Sequence, residues 1–324
     1  MAASRNHRKP AAGNRHPLLS EVGSTVALLA DEEDFAAMSG YPPFATLEGH
    51  HAYLRTTEEL LRILAARDGH TTIALFDPVR FHAHCEERGL DPADPRSRAR
   101  YTAEIASAGA TVPYDGKPLP LLLPLLVDAA ERRAGLELAT LLLATAGDCP
   151  RCGEDLGRTA CARATAALTA LVGAAGPGAH HLVCSVPAGP APLTAVLHAG
   201  GPGGAAVPGG AEGAGRDGDG APRPGTPGGS EGDTLLFCTV LAAGLATGVP
   251  GGIVLRTLVP GGRDRVRGWS LRDGWPRPLT AAEVFTAYCT DPETGEPVPP
   301  EPGVDHLPGL PLPEPEPCCP PDTP

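Results

Sequence analysis

Cys149-Pro150-Arg151-Cys152-Gly153 is the segment whose residue types and spacing point most directly to chemistry. Two thiolates separated by two residues can turn toward one tetrahedral ion, Gly153 eases the tight turn, and Arg151 between them favours thiolate charge. A second group is Asp77, at the end of an uncharged run, followed by His82, His84, Cys85 and Glu86. An acid at a strand end can hold a metal or act as a base, and histidines nearby can transfer protons near neutral pH. Asp77 is also the natural cap of the helix that Pro78 begins, and His82 and His84, two apart, cannot share a helix face.

The C-P-x-C-G form resembles one knuckle of a zinc ribbon. A ribbon needs a second cysteine pair, and the only nearby cysteine is Cys161, alone. The metal reading therefore takes Cys149, Cys152 and Cys161 as ligands of zinc, with a fourth from His180, His181, Cys184 or the Phe81 to Cys85 region. The same five residues also make a metal-free turn between two helices, and the weight falls on that turn. A redox C-x-x-C is a third use, although the preceding segment reads as helix rather than as the strand of a thioredoxin-like unit. The pairs His50-His51 and His180-His181 diverge in helix or strand and make poor joint ligands. No G-x-S-x-G elbow, H-E-x-x-H, phosphate loop or kinase signature is present in the sequence.

The elements that must position these groups follow from hydrophobic period and punctuation. Gly49 to Arg67 carries Leu54, Leu61 and Leu64 at helical spacing. Thr71 to Phe76 reads as a central strand, and Asp77-Pro78 and Asp94-Pro95 each start a helix, closed by Gly89 and Gly109. Thr111 to Tyr114 reads as a short strand. Pro118 to Pro124 is leucine-rich but broken by prolines, so the next helix is placed over Leu125 to Ala146. Leu156 to Val172 is an alanine-rich helix; His181 to Val186 and Leu193 to His198 form a hairpin. Thr234 to Ala246 reads as a buried helix rather than part of a membrane span, because Gly248, Pro250, Gly251 and Gly252 cut the uncharged run. Gly252 to Val259 and Val266 to Leu271 form a second hairpin. A final helix, Leu279 to Cys289, has capping-box spacing at Thr280 and Glu283, with Leu279 and Val284 as a staple. Ser20 to Phe44 shows no regular period.

The 324 residues include 41 glycines and 38 prolines, with aromatics at 4 % and a net charge of −12. Nineteen of the 34 positions from Ala199 to Gly232 are Gly or Pro, which marks a flexible insertion. Residues 1–20 carry a few basic groups and no acid, and read as a disordered terminus. Asp291 to Pro324 holds eight acidic residues and no Lys or Arg, and reads as an extended or disordered proline-rich tail. Nine unevenly spaced cysteines fit reduced thiols, and no secretory pattern is visible, so the expected location is cytoplasmic. Lysine occurs only at Lys9 and Lys117 among 26 basic residues. In this texture the chain resembles the uncharacterised proteins that abound in high-GC actinobacterial genomes; the resemblance implies a bacterial source and no activity.

These elements imply an α+β, or mixed α/β, class with one sheet layered with helices. A single domain over 21–290, interrupted by the 199–232 insertion and followed by a disordered 291–324 tail, is the expected organisation. The uncharged runs 71–76, 182–186 and 252–255 are expected side by side in that sheet. The expected function is non-catalytic: a regulatory or protein-interaction protein with a protein partner, no membrane and no nucleic acid. The alternatives are a zinc-binding module on Cys149, Cys152 and Cys161, enzymatic or nucleic-acid-associated, and an enzyme centred on Asp77 with His82 or His84.

Overall fold

Ser24–Leu28, β1, is the first element of a computed structural model that describes residues 24–68, 70–189, 191–200, 231–291, 294–316 and 319. Residues 1–20 and nearly all of the 199–232 insertion, expected to be disordered, lie outside the described residues. The chain divides into two compact units, Met1–Arg133 and Ala134–Pro324. The division falls inside a long helix, not in the insertion.

In the first unit β1 runs parallel to β2 (Thr71–Leu75), and β3 (Thr111–Pro113) pairs antiparallel on the other side of β2. An uncharged β2 between two neighbours is the central strand that its composition implies. Asp31 accepts a hydrogen bond from the Asp34 N–H and starts α1 (Glu32–Met38), whose acidic first turn suits the positive end of the helix dipole. Helices α2 (His50–Asp68), α3 (Pro78–Arg88) and α4 (Pro95–Ala108) follow, α3 and α4 capped by Asp77 and Asp94 as expected. Ile73 packs with Leu61, Leu119, Leu122 and Leu126, while Phe76, Phe81 and Tyr101 form an aromatic cluster with Phe35 and Tyr53.

The next helix, α5 (Leu119–Ala144), starts six residues before the expected point and contains Pro124. Proline inside a helix costs about 3 kcal/mol, whereas burying each leucine contributes about 1.5–3 kcal/mol. Leu119, Leu122, Leu123 and Leu126 are all buried, so packing outweighs the broken hydrogen bond.

The second unit holds a six-stranded sheet in the order β5-β4-β6-β7-β8, with β9 beside β7. Its strands are β4 (Ala179–Pro187), β5 (Pro192–Ala199), β6 (Gly251–Leu258), β7 (Asp264–Arg272), β8 (Trp275–Pro278) and β9 (Val304–His306). The two expected hairpins are present as β4–β5 and β6–β7, and β4 pairs with β6 across the insertion. Helices α6 (Leu156–Ala175) and α7 (Glu231–Thr247) share a core with Leu182, Cys184, Leu197, Leu255 and Trp269. On β7, Val266 belongs to a separate small cluster with Val304 and with Val284 of α8 (Ala281–Tyr288). Helix α8 begins with the expected Thr280–Glu283 capping box.

The α+β class is as expected, but the single sheet is not. Thr71–Leu75 lies in the three-stranded sheet, while 182–186 and 252–255 lie in the six-stranded one. An uncharged run specifies burial and leaves open which strand lies beside it. The tail also differs from a disordered one: 294–316 runs extended within the second unit, and Val304 is buried. Arginines explain it, because Glu301, Asp305 and Glu314 each meet one at 2.6–3.0 Å.

Helix α7 approaches the sheet closely at Gly244, where an added Cβ would lie 2.8 Å from Val186 Cγ2 and 2.9 Å from Leu271 Cδ1. Overpacking costs about 1–3 kcal/mol and a helical glycine only about 1 kcal/mol relative to alanine. Gly244→Val is therefore expected to lose about 1–2 kcal/mol in urea unfolding; a gain in stability would show that α7 can retreat.

Candidate metal centre

The knuckle is a closed turn between α5 and α6. Cys149 N–H donates to the Glu154 carbonyl at 2.7 Å, Gly153 N–H returns to the Cys149 carbonyl at 2.9 Å, and Asp148 and Asp155 form an isolated bridge. Gly153 sits at φ +74, a left-handed conformation open to glycine, which explains the C-P-x-C-G form. Asp155 then caps α6 through the Arg158 N–H at 2.6 Å.

Cys149, Cys152 and Cys319 present sulfurs within 4.8 Å of one another. The Cys149 and Cys319 sulfurs are 3.7 Å apart across 170 residues of chain. Two sulfurs each about 2.3 Å from a zinc ion on tetrahedral corners stand about 3.8 Å apart, so the donor set and spacing both fit zinc. Backbone N–H groups of Arg151 and Cys152 point at the Cys149 sulfur and, with the Cys152 and Cys319 thiols, bring its pKa down to about 6. The thiolate form is thus held ready for a cation.

Cys161 lies elsewhere, on α6, and is not one of the three clustered cysteines. Burial raises its pKa, the opposite of what a ligand thiol needs. Burial also pushes Cys184 to about 12 and Cys238 to about 11, which makes them core thiols. His180 is engaged by Thr257 Oγ1 and the Gly176 carbonyl, both at 3.0 Å, and His181 stacks edge-on to His198. Cys319 went unread because it lies in a tail without periodicity. Its own signal was available: a cysteine among prolines, where no core needs one.

The Asp77 group is brought together only in part. Asp77 accepts from the Arg80 N–H at 3.0 Å as a helix cap, and its backbone carbonyl receives the Tyr101 hydroxyl at 3.4 Å. His82 Nε2 lies 3.2 Å from the Tyr41 hydroxyl, His84 is buried beside Arg88 and Glu104, and Cys85 is buried. Across the ends of the parallel strands stands Asp34, whose pKa is raised by burial and by the nearby Asp31 and Asp77 carboxylates. Asp34 accepts from the Ala30 N–H at 3.3 Å and Asp31 is a cap, so each of these acids already has a structural task.

Among the described residues no helix is long and apolar enough to cross a membrane. The molecule is thus an α+β protein whose second unit carries a three-thiol cluster with the spacing of a metal site. Residues 13–117 match the family model of a domain of unknown function, DUF8829, a match that covers β1 to β3 and stops short of the three clustered cysteines. No curated protein and no solved structure matches the chain.

The lowered pKa has a direct readout. In metal-free protein the Cys149 thiolate prevails above pH 6, so alkylation by iodoacetamide is expected to fall as pH drops through about 6. An ordinary thiol loses reactivity near pH 8.5. A mass-resolved profile for Cys149 with its midpoint above 8 would contradict the geometry.

Proposed function

We propose that the second unit is a zinc-stapled, non-catalytic interaction module of a cytoplasmic protein, with Cys149, Cys152 and Cys319 as ligands. The carrying observation is the convergence of three sulfurs, from a turn and from the far end of the tail, within 4.8 Å. Zinc there would fasten the tail to the knuckle between α5 and α6, with the three sulfurs filling three of its four tetrahedral positions. This revises the ligand set expected from sequence, replacing Cys161 by Cys319.

Metal analysis tests it. Protein purified from zinc-supplemented cells is expected to carry about one equivalent of zinc. Serine at Cys149 or Cys319 is expected to leave under about a tenth of an equivalent, whereas Cys161→Ser leaves the content unchanged. Wild-type protein without zinc, or loss of zinc in Cys161→Ser alone, would sink the assignment.

A partner-binding role is supported by the first unit as well, where Leu60, Ile63, Leu121 and Leu125 are large apolar side chains left about half exposed. The enzyme reading at Asp77 has less behind it, since the carboxylates there are spent on helix caps and on a backbone N–H.

A further inference from the structure

Residues 309–314, Gly-Leu-Pro-Leu-Pro-Glu, lie in a groove built from α6, β7 and β8. Leu310 and Leu312 alternate inward onto the core, while Pro311 and Pro313 face out. The Trp269 indole N–H donates to the Leu310 carbonyl at 2.8 Å, and the Gly309 N–H donates to the Leu279 carbonyl at 2.9 Å. At the far end Glu314 is held by two arginines, Arg163 Nη2 and Arg277 Nη1, both at 2.8 Å. Arg163 is itself fixed, stacked 5.2 Å over the Trp275 ring and donating to the Gly274 carbonyl at 3.0 Å. Gly309 passes so close to the Gly268 carbonyl and to Pro278 that a Cβ would lie 2.9 Å from Pro278 Cα.

An indole donating to a carbonyl, aliphatic seats at alternate positions and a two-arginine pocket for one carboxylate are what a receptor for a short extended peptide requires. Prolines on the exposed side stiffen the ligand and lower the entropy lost on seating. We propose that this groove is a recognition site for proline-rich acidic peptides of the Gly-Leu-Pro-Leu-Pro-Glu type, filled in cis by residues 309–314. Once that segment lets go, the groove takes the same residues of a second copy of the chain. The second copy is the occupant because its tail can remake every contact just named with no new chemistry, the usual basis of segment exchange. Tethering gives the chain's own tail a high effective concentration, so exchange appears only when the tail is unseated.

Full-length Gly309→Val, whose tail cannot seat but whose groove is intact, provides the test with a labelled peptide of residues 307–316. Anisotropy is expected to show at least tenfold tighter peptide binding to this variant than to wild type, reduced at least tenfold again when Arg163→Glu and Arg277→Glu are added. If Gly309→Val does not fold, Glu314→Lys opens the groove without requiring any fit at Gly309. Sedimentation then identifies the occupant. With zinc chelated, so that Cys319 no longer fastens the tail, Gly309→Val, with a free groove, and Arg163→Glu/Arg277→Glu, with a free tail, are each monomeric alone and are expected to form a one-to-one dimer when mixed. Equal peptide binding to wild type and to both opened variants would overturn the groove, and a mixture that stays monomeric would overturn the second copy as its ligand.

Discussion

Chelating zinc from the wild-type protein is expected to lower its melting temperature by roughly 8–16 °C and to leave Cys149→Ser unchanged. A ligand that binds only the folded state stabilises it by RT ln(1 + [L]/Kd), about 4.1 kcal/mol when free ligand stands a thousandfold above Kd. For a unit the size of Ala134–Pro324, each kcal/mol moves the midpoint by about 2–4 °C. The large effect depends on where the ligands sit. Cys149 and Cys152 share one turn, but Cys319 follows it by 170 residues, so the ion closes a loop that includes every strand of the six-stranded sheet. Scanning calorimetry with and without chelator checks this, and a shift under about 2 °C in fully metallated protein would mean that the ion staples nothing.

Arg256→Ala is expected to cost about 2–3 kcal/mol and to make the segment after Tyr288 sensitive to protease. The guanidinium donates to Asp264 at 2.9 and 2.7 Å, to Glu301 at 3.0 and 2.9 Å, and to the Tyr288 hydroxyl at 3.3 Å. One side chain thus ties β6, β7, α8 and the tail together. An isolated exposed pair contributes at most about 1 kcal/mol, but here Arg256 and Asp264 are partly buried, one guanidinium serves several partners at once, and hydrogen bonds to charged groups are stronger. Hydrogen bonding to Glu301 and Asp264 raises the arginine pKa further, and both acids are lowered in turn, chiefly by Arg256. The acids' contribution is fully present above their unfolded pKa values and is lost as pH falls through their lowered folded ones. The stability difference between wild type and Arg256→Ala should therefore shrink below about pH 4. A difference that persists unchanged to pH 2 would assign the loss to packing alone.

Most helices and both long hairpins were legible because their signals are local. Asp77-Pro78, Asp94-Pro95 and the Thr280–Glu283 box are caps, read from residues at most four apart. Four elements escaped. In β1 and α1 the acidic run from Asp31 obscured the short strand before it, although an aspartate cap followed by acids is itself a helix start. Strand β8 is announced by Asp273-Gly274, both at positive φ in a tight turn, a signal that the Pro-rich WPRP sequence masked. Strand β9 has no local signal, since it is ordered by pairing with β7, by Val304 packing with Val266 and Val284, and by the arginines beside it.

The amino-acid sequence by itself determined the α+β class, the caps and the knuckle turn, since each depends on backbone preferences and hydrophobic period within a few residues. Tertiary structure alone decided that the uncharged runs divide between two sheets and that an acidic tail lies along arginines drawn from four separate segments. It also set Cys319, rather than Cys161, beside Cys149 and Cys152. The physical reason is the same in each case: burial and charge say that a residue needs a partner, but across 170 residues only the path of the folded chain selects which one it meets.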